Sequence, residues 1–526
     1  MRPVVIGAGP NGLSAAFYLA KAGRRPIVLE RSDVAGGGAI SAEIHPGFHA
    51  PIFSHEVLLH ASIGRDMNLA AHGLRWLDCP VDVCAPARDG RPLVIYSDVG
   101  RTAAVMRALS PNDADAWPRF RDAMSRTAHV IAPLLASAPP GAAPGVREIW
   151  ELLATGRRFR NLGGHDARSL LRWLPMPVFD FAHEWFEDDR LRALVAAQSL
   201  SGTMLGPRSA GSTLVLLLRE AHRHLAGAGH RRTAGGPGAC TRAMAEAARA
   251  AGAEIRTRVA VEQVIINNGR VSAVVAGGQE LPTDLAISTL DPRTTLLALV
   301  DRRALPADLV ERVEHYRSAG TMAKVNLALS GLPRFTGIDN PQDLGGRIHI
   351  GAHLDDLERA FDAVKYGEMS ARPWLDVQIP SILDASLAPA GMHVASIYVH
   401  NAPHTLRTGT WTIERDELLK RTLAVLDGYA PRIAELVLSA HVATPADLET
   451  SLGTSGGHIF HGELAPDQLF TVRPTLGLGR YRTPVGGLYL GGAGTHPGGF
   501  FTGASGRLAA LAALQTRDNV RPRVEV

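Results

Sequence analysis

Cysteine is scarce in this chain, with only Cys79, Cys84 and Cys240 among 526 residues. Three thiols cannot form a disulfide framework, and the separation of Cys79 from Cys84 is not that of a metal knuckle. A secreted disulfide scaffold and a zinc module are both excluded, and a reducing cytoplasm is the expected setting. An excess of one charge is lacking too: 55 Lys and Arg stand against 51 Asp and Glu, interspersed along the sequence. With no basic stripe interleaved with aromatic residues, nucleic acid is not an expected partner.

Long apolar runs are also missing. One uncharged window, Thr127 to Val146, contains Pro133, Pro139, Pro140 and Pro144, and another, Thr483 to Gly506, is filled with Gly, Thr, His and Pro. Neither reads as a spanning helix, while peripheral contact with a bilayer through an apolar helix stays open. Arg2 and Pro3 run straight into VVIGAG with no apolar leader, so no secretory signal is expected.

What is present is typical of a folded chain, with 46% apolar and 20% charged residues. The length exceeds what one hydrophobic core serves, and about two to four domains' worth of structure is expected.

Residues 4–30, VVIGAGPNGLSAAFYLAKAGRRPIVLE, read as strand, helix and strand. A β-branched run ends in glycine, apolar residues follow at helical spacing as far as Gly23, and PIVLE is a second buried strand. In such a βαβ unit Gly7 permits the tight turn, Gly9 lets the backbone approach a pyrophosphate, and Gly12 lets helix and strand pack closely. Pro10 and Asn11 belong to the same turn. Glu30, 18 positions after Gly12, ends the second strand, where a carboxylate accepts hydrogen bonds from ribose hydroxyls and repels a 2′-phosphate.

The next segment bears on which dinucleotide is bound. ERSDVAGGGAISAEIHPGF brings a second glycine cluster, Gly36 to Gly38, shortly after Glu30 and Arg31 and just before Ala39. FAD enzymes often close such a loop over the cofactor, and a plain NAD domain has no need of one. Near the other end, GLYLGGAGTHPGGFFTGASGRLAALAAL reads as a strand at Leu488 to Leu490, a glycine-rich turn and a helix from about Thr502. That helix can aim its N-terminus at a flavin or ribityl phosphate. A ligand contacted by both segments must be long, as FAD is.

With these motifs in place the chain resembles the phytoene desaturase-related FAD oxidoreductases, in particular the branch of pyridine nucleotide-disulphide oxidoreductase domain-containing proteins. The resemblance covers nearly the whole chain, through GGGAISAEIHPGF at 36–48, the stretch 252–292, IPSILDASLAPAGMHVASIYVHNAP at 379–403, GGHIFHGELAPDQLFTVRP at 456–474 and the C-terminal motif. It implies that Gly7, Gly9, Gly12 and Glu30 hold the ADP part of FAD, with Pro10, Asn11 and Arg31 beside them. It places Gly37, Gly38 and Ala39 near the pyrophosphate, the Val261 backbone against the adenine, and Gly494, Thr502, Gly503 and Ala504 beside the ribityl chain and isoalloxazine. Two departures stand out. HPGGFF puts Phe500 and Phe501 close to the flavin where relatives carry smaller residues, and His458 stands where an asparagine is usual before IFHG.

The expected fold class is α/β, a Rossmann-type FAD-binding domain of the glutathione reductase and amine oxidase kind with an inserted α+β substrate domain. The FAD-binding domain is expected to be discontinuous, from 1–70, 228–300 and 475–526, because its signature segments lie that far apart. The stretch 71–227 reads as largely helical: SPNDADAWPRFRDAMSRTAHVIAPLL opens on a cap at Ser110, and GSTLVLLLREAHRHL is a further helix. Over 301–474 the alternation in AKVNLALSG and HVASIYVH predicts strands of a mixed sheet, and SAPPGAAPG at 137–145 is a loop.

Few side chains are obligatory when a cofactor carries the electrons. His461 and Glu463 in GGHIFHGEL precede the flavin segment, and a histidine near neutral pKa can accept or orient a proton, with stabilisation of a turn as the competing role. Among His45, His49, His55, His60 and His72 no spacing suits metal ligation, so no metal is expected, and His55 is selected as lining the pocket. His496 reads as shaping the flavin turn and Asp384 as a turn residue.

The expected chemistry is FAD-dependent oxidation, as a dehydrogenase or desaturase, with hydride passing from a hydrophobic or amphipathic small molecule to the flavin N5 and onward to oxygen or a quinone. A flavin amine oxidase, a non-redox flavin-dependent polyene isomerase and an FAD-binding protein with an assembly role stay open as alternatives.

Overall fold

The computed structural model describes residues 1–141, 146–227 and 231–518. At its centre five short parallel strands lie in the order Leu488–Leu490, Ala286–Ser288, Val4–Ile6, Ile27–Leu29 and Glu254–Arg256. Val5 stands opposite Ile287 on one side and Val28 on the other. A parallel sheet is covered on both faces and its strands therefore read as unbroken apolar runs. Accordingly Val4–Ile6, Ile27–Leu29 and Leu488–Leu490 are buried at every residue.

The helix Pro10–Lys21 connects the first two strands and packs with helices Gly236–Ala250 and Ala504–Asp518 on one face of the sheet. Close approach depends on missing side chains: a Cβ on Gly506 would stand 1.8 Å from the carbonyl oxygen of Asn11. The other face is closed by a three-stranded antiparallel sheet, Val261–Asn267, Arg270–Ala276 and Gln279–Pro282, and by the helix Ala307–Glu314. The Rossmann-type arrangement expected from the glycine motif is thus present.

A second sheet of seven strands runs in the order Val437–Ala443, Met322–Leu329, His393–His400, Leu375–Gln378, Arg347–Ile350, Val81–Ala85 and Leu93–Tyr96. AKVNLALSG and HVASIYVH pair antiparallel, with Lys324 opposite Tyr398 and Asn326 opposite Ser396. Residues directly opposite share a face, so these four polar side chains stand together. The stretch 71–227, read as largely helical, also supplies the far edge of this sheet, Val81–Ala85 lying parallel to Arg347–Ile350 and antiparallel to Leu93–Tyr96. Val81, Val83 and Ala85 do alternate, but five residues are inconspicuous beside the 26-residue helix Pro111–Ala136.

That helix starts where its cap predicts, Ser110 Oγ accepting the Asp113 N–H at 3.2 Å, and GSTLVLLLREAHRHL forms the helix Ser212–Ala226. Residues 142–145 of the SAPPGAAPG loop lie outside the described residues. Among the described residues no helix is long and apolar enough to cross a membrane.

Candidate functional site

The first strand stops at Ile6 because the chain turns sharply at Gly7, whose φ of +93° favours glycine. The helix begins at Pro10 with Gly9 as its N-cap, and no side chain caps it. Unpaired amides and the positive end of the helix dipole are thereby left for an anion. A Cβ on Gly12 would meet the Gly7 carbonyl oxygen at 1.9 Å, so a side chain there would push the helix off the strand. Gly9 is different: the nearest atom to a Cβ would be the Gly37 Cα at 4.0 Å. The two glycine turns face one another, and a Cβ on Gly37, at φ +54°, would stand 3.1 Å from the Gly9 Cα.

Glu30 is buried at the end of the second strand, Oε2 accepting the Ala8 N–H at 2.8 Å and Oε1 the Ser32 N–H at 3.0 Å. Its carboxylate is fixed beside the glycine turn. Arg31 reaches across to donate to the carbonyls of Thr450 and Ser451 and ties the two halves of the wall together.

A cavity of about 2150 Å³, its open mouth included, runs from Gly7, Gly9 and Glu30 past Gly37 and Gly38 to Tyr398 and Asp376 on the seven-stranded sheet. Phe53, Leu452, Ile459, Phe460, Phe500 and Phe501 give it an apolar wall. At the sheet, the His55 N–H donates to the Tyr398 hydroxyl at 2.8 Å and the two rings stack at 3.7 Å. His55 Nε2 lies 3.1 Å from Ser396 Oγ, which donates to Asn326 Oδ1 at 2.5 Å. Burial first, and then the neighbouring Lys324, holds the His55 pKa well below the usual histidine range, so the ring is neutral at physiological pH. Lys324 is itself fully buried, 4.6 Å from the Tyr398 ring, with no hydrogen-bond partner for Nζ. Burial lowers its pKa well below that of a free lysine.

His461 lies in the cavity wall at φ +55°, and Phe500 at φ +42°. Non-glycine residues in this region cost about 1–3 kcal/mol each, and persist where the surroundings fix them. The fixing group is Arg473, fully buried, which donates to the carbonyls of Glu463 at 2.8 Å, Phe460 at 3.0 Å and Ala493 at 2.9 Å. One guanidinium thereby ties the His461 turn to the glycine-rich turn. Burial lowers the His461 pKa, and its Nδ1 has no partner.

The cavity gathers most of the residues singled out in the sequence. Gly7, Gly9, Pro10, Asn11, Glu30 and Arg31 line it, Gly37, Gly38, Ala39 and Val261 join them, and so do His461, Phe501 and, against the second sheet, His55. Others do not reach it. Gly12 is held in the helix–strand contact, and Gly494 packs on Pro292. Thr502 accepts the His60 N–H at 3.1 Å, Gly503 packs on Leu59, and Ala504 opens the last helix, so the wall in front of them is made by Ala493, Phe500 and Phe501. Glu463, expected beside His461 as a catalytic group, is corrected: Gly462 at φ +142° turns the chain between them, and Glu463 Oε2 pairs with Arg317 Nε at 2.8 Å away from the cavity. Asp384 accepts from the Ser386 and Gly235 amides at the turn read for it, and His496 Nε2 lies 2.9 Å from the carbonyl oxygen of Leu134 in the helix Pro111–Ala136.

Sequence reading passed over Tyr398, Lys324, Asp376, Arg219 and Arg347. A signal existed for two of the charged ones, since Lys324 sits within AKVNLAL and Arg219 closes the run LVLLL, and charge at a core position is rarely accidental; Arg347, after two glycines, carried none.

Residues 5–71 match the NAD(P)-binding Rossmann-like domain and residues 141–514 the flavin containing amine oxidoreductase family. Pyridine nucleotide-disulfide oxidoreductase domain-containing protein 2 of Rattus norvegicus is 36% identical, over 96% of this chain and 92% of its own. The lycopene-forming phytoene desaturase of Pseudescherichia vulneris is 25% identical, over 98% of this chain and 99% of its own. A solved structure of a putrescine oxidase triple mutant shares the fold, with a TM-score of 0.61 at 17% identity and 98% of each chain covered. The resemblance read from the motifs is therefore shown, and a flavin-dependent oxidoreductase is what this combination of Rossmann turn and second domain describes. The chain belongs to the flavin containing amine oxidoreductase family.

Proposed function

We propose that the cavity binds FAD and that the chain is a dehydrogenase or desaturase removing hydride from a hydrophobic or amphipathic small molecule. The observation that carries this reading is the continuity of one cavity from the uncapped glycine turn to the aromatic wall and the second sheet. The residues fit the cofactor: facing glycines and a free helix N-terminus suit a pyrophosphate, Glu30 a ribose, Val261 an adenine, and Phe501 with His461 the flavin end. When bound, FAD supplies a two-electron oxidation of a C–H bond.

The chain itself supplies position, dryness and a proton acceptor. Phe460, Phe500 and Phe501 hold an apolar body and exclude water. His461, neutral through burial and with Nδ1 unpaired, accepts the proton released during oxidation, while His55 is held by Tyr398 and Ser396 as part of the wall. Electrons then pass to oxygen or a quinone.

The test is anaerobic mixing of the flavin-loaded protein with panels of alcohols, carboxylic acids, amines and polyenes. Bleaching of the visible flavin bands by one non-amine class supports the reading and names the substrate. Reduction by amines alone with peroxide formed in air replaces it with an amine oxidase. Conversion of a polyene only by reduced flavin, without net oxidation, makes the chain an isomerase. Flavin that nothing bleaches points to an assembly role.

A further inference from the structure

The sheet end of the cavity is far richer in charge than an apolar substrate needs. Four guanidiniums, Arg219, Arg223, Arg232 and Arg347, line the cavity together with three carboxylates, Glu56, Asp82 and Asp376. Arg219 Nη2 lies 2.5 Å from Glu56 Oε2, Arg223 Nη2 3.6 Å from Glu56 Oε1, and Arg347 Nη1 3.3 Å from Asp376 Oδ2. Arg223 has a nearer carboxylate in Glu220, Nη1 lying 3.0 Å from its Oε1, so Glu56 belongs chiefly to Arg219. Asp376 has Arg347 as its ion-pair partner, with the rings of His349 and His400 each 3.4 Å away.

Two of the guanidinium N–H groups have no acceptor. Arg219 Nε and Arg347 Nη2 are buried without a hydrogen-bond partner, and the Arg347 side chain is only 8% exposed. Buried polar groups are almost always paired, and a buried cation with an unpaired donor is costly, so each such group calls for an explanation. A ligand oxygen arriving through the cavity supplies one. The unpaired donors belong to cations and so favour an anionic oxygen, and the planar guanidinium fork matches the two oxygens of a carboxylate.

We infer that this end of the cavity binds a carboxylate carried by the substrate, with Arg347 and Arg219 as its partners. The inference rests on the reading of the same cavity as a flavin enzyme's substrate site. It narrows the substrate to an amphipathic acid whose apolar body lies along Phe460 and Phe500 and whose carboxylate meets the arginines.

The experiment titrates the FAD-loaded protein with octanoate, octanamide, octylamine and octyl phosphate, followed by calorimetry and by perturbation of the flavin absorption bands. Octanoate is expected to bind at least tenfold more tightly than octanamide. Arg347→Met is expected to weaken octanoate by about ten- to a hundredfold, the range for losing a hydrogen bond to a charged group, while octanamide affinity and flavin content stay the same. Arg347→Lys keeps the charge without the fork and is expected to fall between them. If Arg347→Met does not fold, the ranking of the four ligands on the unsubstituted protein decides. Octanamide or octylamine binding as tightly as octanoate, octyl phosphate binding more tightly, or no binding of octanoate overturns the carboxylate site. A chain that takes up no FAD overturns the cofactor reading instead, so the two failures are distinguishable.

Discussion

Exchanging single glycines for alanine separates what the turn does for the fold from what it does for the cofactor. At Gly9 the backbone has φ −69° and ψ 178°, open to any residue, and an added methyl would find its nearest neighbour at 4.0 Å. Replacing a glycine N-cap by alanine costs up to about 1 kcal/mol and restricting the unfolded chain returns about 0.4–1 kcal/mol, so Gly9→Ala should leave the stability of the FAD-free protein within about 0.5 kcal/mol of its original value. In the proposed complex the same methyl would stand where the helix N-terminus meets the FAD pyrophosphate and would force out at least one charge-assisted hydrogen bond. FAD affinity should fall by about ten- to a hundredfold. At Gly12 the added methyl would lie 1.9 Å from the Gly7 carbonyl oxygen and 3.1 Å from Thr289 Oγ1. Strand and helix must part, at a cost of about 1–3 kcal/mol or more, and stability and FAD binding should fall together. Denaturant unfolding of the FAD-free variants and FAD titration by quenching of flavin fluorescence give both quantities. Gly9→Ala binding FAD like the unsubstituted chain, or losing as much stability as Gly12→Ala, would refute the reasoning.

Glu30→Gln keeps the shape of the side chain but replaces an acceptor-only carboxylate that receives the Ala8 and Ser32 amides, so FAD affinity should drop about tenfold, and an unchanged affinity would remove Glu30 from the ribose site. Arg473→Met leaves several buried carbonyls unpaired at about 1–3 kcal/mol apiece, and should give insoluble protein or a greatly lowered unfolding temperature; unfolding at the original temperature would contradict its organising role. Burial lowers His60 and His496 to about 4 and His458 to about 3, so each binds its proton more readily in the unfolded chain, near pH 6.5. Stability from these groups is full above about pH 6.5 and lost as the pH falls toward 4, at about 1.4 kcal/mol per pH unit for each. Urea midpoints at pH 7.5 and pH 5 should therefore differ, and equal midpoints would mean that the three rings are not buried in neutral form.

The Rossmann glycine turn was legible because its constraints are local. Gly7, Gly9, Gly12 and Glu30 lie within one βαβ unit, and each is required by a turn, a close approach or a strand end that spacing alone reveals. The helix at Pro111–Ala136 was legible for the same reason, through its Ser110 cap. The second sheet was less so. Val81–Ala85 finds its partner Arg347–Ile350 more than 250 positions away, and no short-range pattern encodes that pairing. Glu463 misled because adjacency in sequence to His461 does not survive the turn at Gly462. The arginines at the sheet end escaped notice because they come from three separate segments, a helix at 212–226, a strand at 231–233 and a strand at 347–350, and only tertiary packing makes them neighbours of one cavity.

The central claim is that one continuous cavity holds FAD, and isolating the bound cofactor tests it most directly. The purified protein, or the protein reconstituted with FAD and desalted, is denatured and the released molecule identified by chromatography and mass. The account predicts FAD in about equimolar amount, with flavin bands in the visible spectrum before denaturation. Release of FMN or NAD in its place, or a colourless protein that retains no FAD after reconstitution, would contradict it.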